Sequence, residues 1–312
     1  MVGLKSRSKK SKSKQRRTIR VGETAGVLVL ILAVAFVIYI VIPPQAPTSD
    51  GQAPKAVIVD EVSVQFANPQ FIETVQTIMK DESLGVDTYG AQSVTVSFYG
   101  KLPAYGYKLI LLRVHAGVDQ QTEGHPVGLY TSEPYSEFSY PQEQLSGLVS
   151  IGRSYNRSEQ AVFAVTPKFI AERSAANYDG ALIVITGCHG LSKVSSADLP
   201  KAFVDRGASA VIGWNGLVGP EHMDKATLSL LRGLLTQRRS ISESIRVAMN
   251  EVGPDPDYNS TIGYYPKQAG SLTFSGIVKG SPIQRAAIQL PPIISDVRRT
   301  ERLSCLSVFL QP

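Results

Sequence analysis

Apolar positions in this chain form one long run and a series of much shorter ones. Ala25 to Ile42 is an uncharged run of 18 residues, rich in Val, Leu and Ile. As a helix rising 1.5 Å per residue it covers about 27 Å, enough to cross a bilayer hydrocarbon core. The later runs Ala56–Val59, Lys108–Val114, Ala181–Ile185 and Ala208–Ile212 are too short for stable helices and are rich in branched aliphatics. They read as strands buried on both faces. Ser93–Phe98 alternates and holds Val and Thr, so it reads as a further strand, and Val162–Val165 as a short one.

Helical signals lie between these strands. Asn68-Pro69 places a cap and a first-turn proline ahead of a helix over 69–80, with Phe71, Val75 and Ile78 on one face. Leu102–Tyr107 reads as a short helix or turn. Thr166-Pro167 opens another helix, running to about Ser174. Ser196–Arg206, Pro220–Leu235 and Ile241–Asn250 are further helices, the last with Ser240 and Glu243 spaced as a capping box. Gly253–Asp257 breaks the pattern. The insertion 118–160 is polar and aromatic, with a hairpin expected near 125–140. Strand-like runs follow at Leu272–Val278, Ala287–Leu290 and Leu306–Leu310. Strands alternating with helices predict an α/β fold, a three-layer sandwich with a mainly parallel sheet. A dinucleotide glycine fingerprint, a Walker A loop and a Gly-x-Ser-x-Gly elbow are all missing from the sequence.

Composition divides the chain. Residues 1–20 hold nine Lys or Arg and no acid, while the rest has 23 basic and 26 acidic residues, so the overall +6 belongs to the tail. That excludes a basic nucleic-acid surface on the main domain. Residues 1–24 read as a basic cytoplasmic tail, 25–43 as a transmembrane helix and 44–54 as a linker. The α/β domain spans 55–268, and a β-containing extension 269–312. The apolar run is longer than a usual signal-peptide core, and Pro43-Pro44 offers no small-residue cleavage site. The expected placement is a single-pass protein of the cell membrane, anchored in the lipid bilayer through 25–43, with its main domain outside. Two sequons, Asn156-Arg-Ser and Asn259-Ser-Thr, suit such an exported domain.

Two buried strands each end in a polar, glycine-containing turn, one at His115-Ala116-Gly117 and one at Gly187-Cys188-His189-Gly190. A thiol attacks a carbonyl only when a base takes its proton, and backbone amides can steady the oxyanion. In a parallel sheet His115 and Cys188 would emerge at the same edge if their strands are neighbours. The same residues also admit plainer readings. His115 could simply satisfy a turn, and Cys188 could be an inert core thiol or disulfide-bonded to Cys305, the second of the two cysteines. His189 reads as structural, and His125 and His222 as surface residues. No closely spaced ligand pair supports a metal. Asp60, Glu221 and Asp224 are acids that could reach a cleft beside the turns.

Lys108–Gly117, Ala181–Gly190 and Gly207–Gly216, taken in order, resemble the caspase-like fold of clan CD cysteine peptidases. The likeness leans to the gingipain and clostripain side, with similarity to CHAT domains, and covers roughly residues 55–265. It implies a mainly parallel caspase-like sheet and a membrane-anchored cysteine endopeptidase, a thiol protease, acting on a peptide or protein substrate outside the cytoplasm. His115 and Cys188 would form the dyad, Ala116, Gly117 and Gly187 the oxyanion turns, and Trp214 and Asn215 the substrate pocket. The family often has Gly directly after the histidine, where this chain has Ala116. The resemblance calls for no cofactor, and leaves a structural calcium open. Two alternatives stand beside it: an inactive caspase-like surface module that binds a protein or peptide, and a structural envelope protein.

Overall fold

The computed structural model describes residues 53–119, 126–153, 160–192 and 199–280. Ten strands occur there: β1 Lys55–Asp60, β2 Gly85–Gly90, β3 Leu109–Arg113, β4 Ala116–Val118, β5 Val127–Pro134, β6 Val149–Gly152, β7 Val162–Val165, β8 Leu182–Ile185, β9 Ala210–Trp214 and β10 Ile262–Tyr265. The α-helices are α1 Pro69–Asp81, α2 Val96–Lys101, α3 Pro141–Leu145, α4 Pro167–Arg173, α5 Leu199–Asp205, α6 Pro220–Leu231, α7 Ile241–Glu251 and α8 Phe274–Lys279.

Six strands form the main sheet in the order β10-β9-β8-β3-β1-β2. All neighbours run parallel except β10, which pairs antiparallel with β9 at one edge. The short apolar runs become its central strands because both faces are covered. Val57, Val59, Ile110, Leu112, Ile183 and Ile185 point into one apolar cluster. Ala56, Ile58, Leu109, Leu111, Leu182 and Val184 point into the other. The first cluster includes residues of α2, α4 and α5 and of a second, four-stranded antiparallel sheet in the order β4-β5-β7-β6. The second cluster includes residues of α1, α6, α7 and α8.

The 118–160 stretch differs most from its expected irregularity. With β4 and β7 it supplies that second sheet, and β4 begins directly after His115. Tyr130 packs against Gly117 and Gly152, where a Cβ would fall 2.5 Å from its hydroxyl and 3.1 Å from its ring. A side chain at either position would require the Tyr130 ring to shift.

Three other elements depart from the sequence reading. Ser93–Phe98 is not a strand: Thr95 caps α2 by accepting the Phe98 N–H at 3.1 Å, and this local bond overrides the alternation. Leu272–Val278 is likewise not a strand, because Thr273 caps α8 and Gly280, in the left-handed region, ends it. The polar β2 carries no apolar run to announce it, being an edge strand with one exposed face. Trp214 lies within β9 rather than in the turn after it.

Among the described residues no helix is long and apolar enough to cross a membrane. The Ala25–Ile42 run, Asn156, His125, Cys305 and the strand-like runs after 280 lie outside the described residues. The described part of the extension is a 3₁₀ turn, Lys267–Ser271, followed by α8.

The cap of α1 does two jobs. Asn68 accepts the Phe71 N–H at 3.1 Å through Oδ1 and donates through Nδ2 to Asp224 at 2.9 Å. Asn68→Ala is expected to cost about 1–2 kcal/mol, read from the midpoint of urea unfolding.

Candidate active site

Strands β3 and β8 are immediate parallel neighbours, registered Leu109↔Leu182 through Leu112↔Ile185. The Thr186 N–H extends this ladder to the Leu112 carbonyl at 2.9 Å. The segments carrying His115 and Cys188 therefore leave the sheet side by side at its carboxyl edge. Their backbones are in close contact: a Cβ built on Gly187 would lie 1.9 Å from the Val114 carbonyl oxygen and 3.6 Å from the Ala116 nitrogen. Glycine at 187 is what lets the two segments close on each other.

His115 sits where the chain passes from the main sheet into the second one. Glu61 accepts the His115 backbone N–H at 2.8 Å. The imidazole Nε2 lies 2.5 Å from Gln65 Oε1. The ring meets Phe66 edge-on, with centroids 5.7 Å apart, and Tyr130 lies on another side at 6.0 Å. Ala116 and Gly117 belong to β4 and pair with Leu129 and Gly128, so the turn expected at these positions is a strand.

Cys188 is a free, half-buried thiol packed against the cluster formed by α1, α6 and α7. Val218 N–H points at its Sγ at 3.5 Å, and the thiol lies 3.8 Å from the Val218 carbonyl. Burial pushes the thiol pKa up, and the Val218 amide only partly offsets this. The turn around it is tied to the end of β9. His189 N–H donates to the Gly216 carbonyl and Leu191 N–H to the Trp214 carbonyl, each at 2.8 Å. His189 has a positive φ of 59°. Its Nδ1 meets Ser192 Oγ at 2.8 Å, and that hydroxyl donates to the Asn215 carbonyl. Burial lowers the His189 pKa. These contacts place its ring in the support of the turn.

Trp214 differs from the pocket wall expected of it. Only 1% of it is exposed, and its ring packs 5.6 Å from His222, so it offers a substrate no surface. Asn215 is exposed, and its side chain accepts the Thr261 N–H and donates to Thr261 Oγ1. Among the described residues no cluster suited to a metal ion occurs. An open cleft of about 300 Å³ lined by Val96, Tyr140, Phe169 and Arg173 includes neither His115 nor Cys188.

Two of the acids expected to reach a cleft beside the turns, Asp60 and Asp224, are instead buried. Arg113, 1% exposed and two residues before His115, reaches Asp60 through Nη1 at 2.7 Å. It grips Asp224 with a two-pronged fork, Nε at 2.8 Å and Nη2 at 2.9 Å. Nη2 also donates to the Phe66 carbonyl at 2.8 Å. One guanidinium thus faces two carboxylates. Burial raises the Asp60 pKa despite the Arg113 bond, and the Asp224 charge adds to the rise. Asp60 and Asp224 were visible as acids in the sequence, but nothing there paired them with Arg113.

Glu61 is the residue the sequence concealed most fully. Burial, with the Asp60 charge beside it, pushes its carboxyl up from 4.5 to about 7, against the opposing hydrogen bond from His115. Only the folded chain imposes that burial, so it holds the proton more tightly than the unfolded chain. The stability this contributes is full below about 4.5 and lost as pH rises through about 7. Glu61→Gln keeps an acceptor for the His115 amide and removes the charge. It is expected to match the parent near pH 4 and to exceed it at pH 8 by up to ~3 kcal/mol, read from urea unfolding at both pH values. Gly187→Ala, by contrast, forces the two segments apart and is expected to cost about 2–3 kcal/mol at every pH by the same measurement.

No protein-family model matches this chain, and no curated protein does either.

Proposed function

We propose that this protein is a cysteine peptidase of caspase-like, three-layer architecture, with His115 as base and Cys188 as nucleophile. The observation that carries this reading is the direct β3–β8 neighbourhood, which brings both residues to one sheet edge with Gly187 against the Val114 carbonyl. In the reaction, the His115 imidazole takes the Cys188 proton as sulfur attacks the substrate carbonyl. The tetrahedral intermediate collapses, the imidazolium gives that proton to the leaving amine, and water then hydrolyses the thioester. The raised thiol pKa means that cysteine is protonated at rest, so proton transfer accompanies attack. Substrate binding also has to release the thiol from Val218. The basic tail and the apolar run Ala25–Ile42 support an anchored protein with this domain outside the cell.

A second reading is a caspase-like module that binds a peptide without cutting it. It is favoured by the half-buried thiol, held by Val218 and made less acidic by burial. Cleavage of an unbiased peptide mixture, followed by mass spectrometry, separates the two. Cys188→Ala and His115→Ala are each expected to lower turnover by about 10²-fold or more. A peptidyl electrophile is expected to label Cys188 alone. Unchanged cleavage in Cys188→Ala would sink the peptidase reading, and peptide binding without cleavage by the parent protein would establish the second.

A further inference from the structure

We infer that the buried Arg113–Asp60–Asp224 cluster is a positioning device that fixes the histidine side of the site relative to the cysteine side. The inference rests on the peptidase reading for its purpose and on the following contacts for its geometry. Toward the histidine, Arg113 Nη2 holds the Phe66 carbonyl at 2.8 Å, one residue after the Gln65 that meets His115 Nε2. Asp60 is held by the same guanidinium and immediately precedes Glu61, which accepts the His115 backbone N–H. Toward the cysteine, Asp224 lies in the opening part of α6, whose cap is Gly219. The residue before that cap is Val218, the backbone partner of the Cys188 thiol. Asn68 bridges the two sides, capping α1 and donating to Asp224 Oδ2.

Stability is a weak reason to keep such a cluster. Buried ion triads are commonly matched or exceeded in stability by apolar replacements, while loss of one member leaves an uncompensated charge. A planar fork sets direction as well as distance, which a Lys point charge cannot do. The fork here fixes the end of β3, the loop after β1 and the start of α6, the segments that contact His115 and Val218 or lie next to them.

Two variants of the full chain test this: Arg113→Lys, which keeps the charge and loses the fork, and Arg113→Met with Asp60→Asn and Asp224→Asn, which removes the charges together. Cooperative unfolding establishes that each is folded. Two readouts then follow that need no peptidase activity. One is the ¹⁵N signature of the His115 ring, which reports which nitrogen carries the proton. The other is the rate of Cys188 alkylation by iodoacetamide across pH. A folded variant is expected to change the ¹⁵N signature of the His115 ring, as its contact with Gln65 is lost, and to change the alkylation rate at pH 8 at least tenfold. A folded variant with both readouts unchanged would overturn the inference, and so would unfolding of both variants, which would make the cluster a stability element alone. Failure of the peptidase reading appears elsewhere, as cleavage that persists in Cys188→Ala.

Discussion

A guanidinium buried with two carboxylates is the constraint on which the rest of this structure hangs. Taking Arg113 out of water is costly unless its donors are met, and Asp60, Asp224 and the Phe66 carbonyl together occupy four of its five N–H bonds. Meeting them requires the ends of β1 and β3, the loop between β1 and α1, and the start of α6 to converge on one point. That point lies under the carboxyl edge of the sheet. Burial raises the pKa of Asp60 and of Glu61, and the neighbouring carboxylate charge adds to each rise.

The same convergence organises the edge above it. Glu61 and Gln65 reach His115 from the loop that Arg113 pins, one through the backbone and one through the ring. Val218 reaches Cys188 from the turn before α6. The two sides touch where Gly187 meets the Val114 carbonyl. In this arrangement burial raises the thiol pKa and a backbone amide engages the sulfur, while the imidazole meets Gln65 through Nε2. Under the peptidase reading, substrate has to displace the Val218 contact before sulfur can react.

Much of the fold is legible in local pattern. Central strands such as Ala181–Ile185 announce themselves because burial on both faces demands an unbroken apolar run. Helices opened by Asn68-Pro69, Thr166-Pro167 and Ser240 announce themselves because a capping oxygen satisfies an amide within three residues. The failures have the same local cause working in the other direction. Thr95 and Thr273 look like strand residues by propensity but act as caps. The polar edge strand β2, and the second sheet assembled from 116–165, depend on partners distant in sequence that no local signal names.

For the candidate site, the sequence determined which groups are available: a thiol and an imidazole, each following a buried strand, and a third strand ending near Trp214. Side-chain chemistry and strand burial are local properties, so a single chain can carry them visibly. Tertiary structure decided everything relational. It made β3 and β8 neighbours, put Trp214 in the core, and turned Asp60 and Asp224 inward to Arg113. It also set Glu61 and Gln65 on His115. Hydrogen bonds and ion pairs spanning 50 to 111 positions depend on strand order and on how the chain folds back, and neither is written in any window of residues.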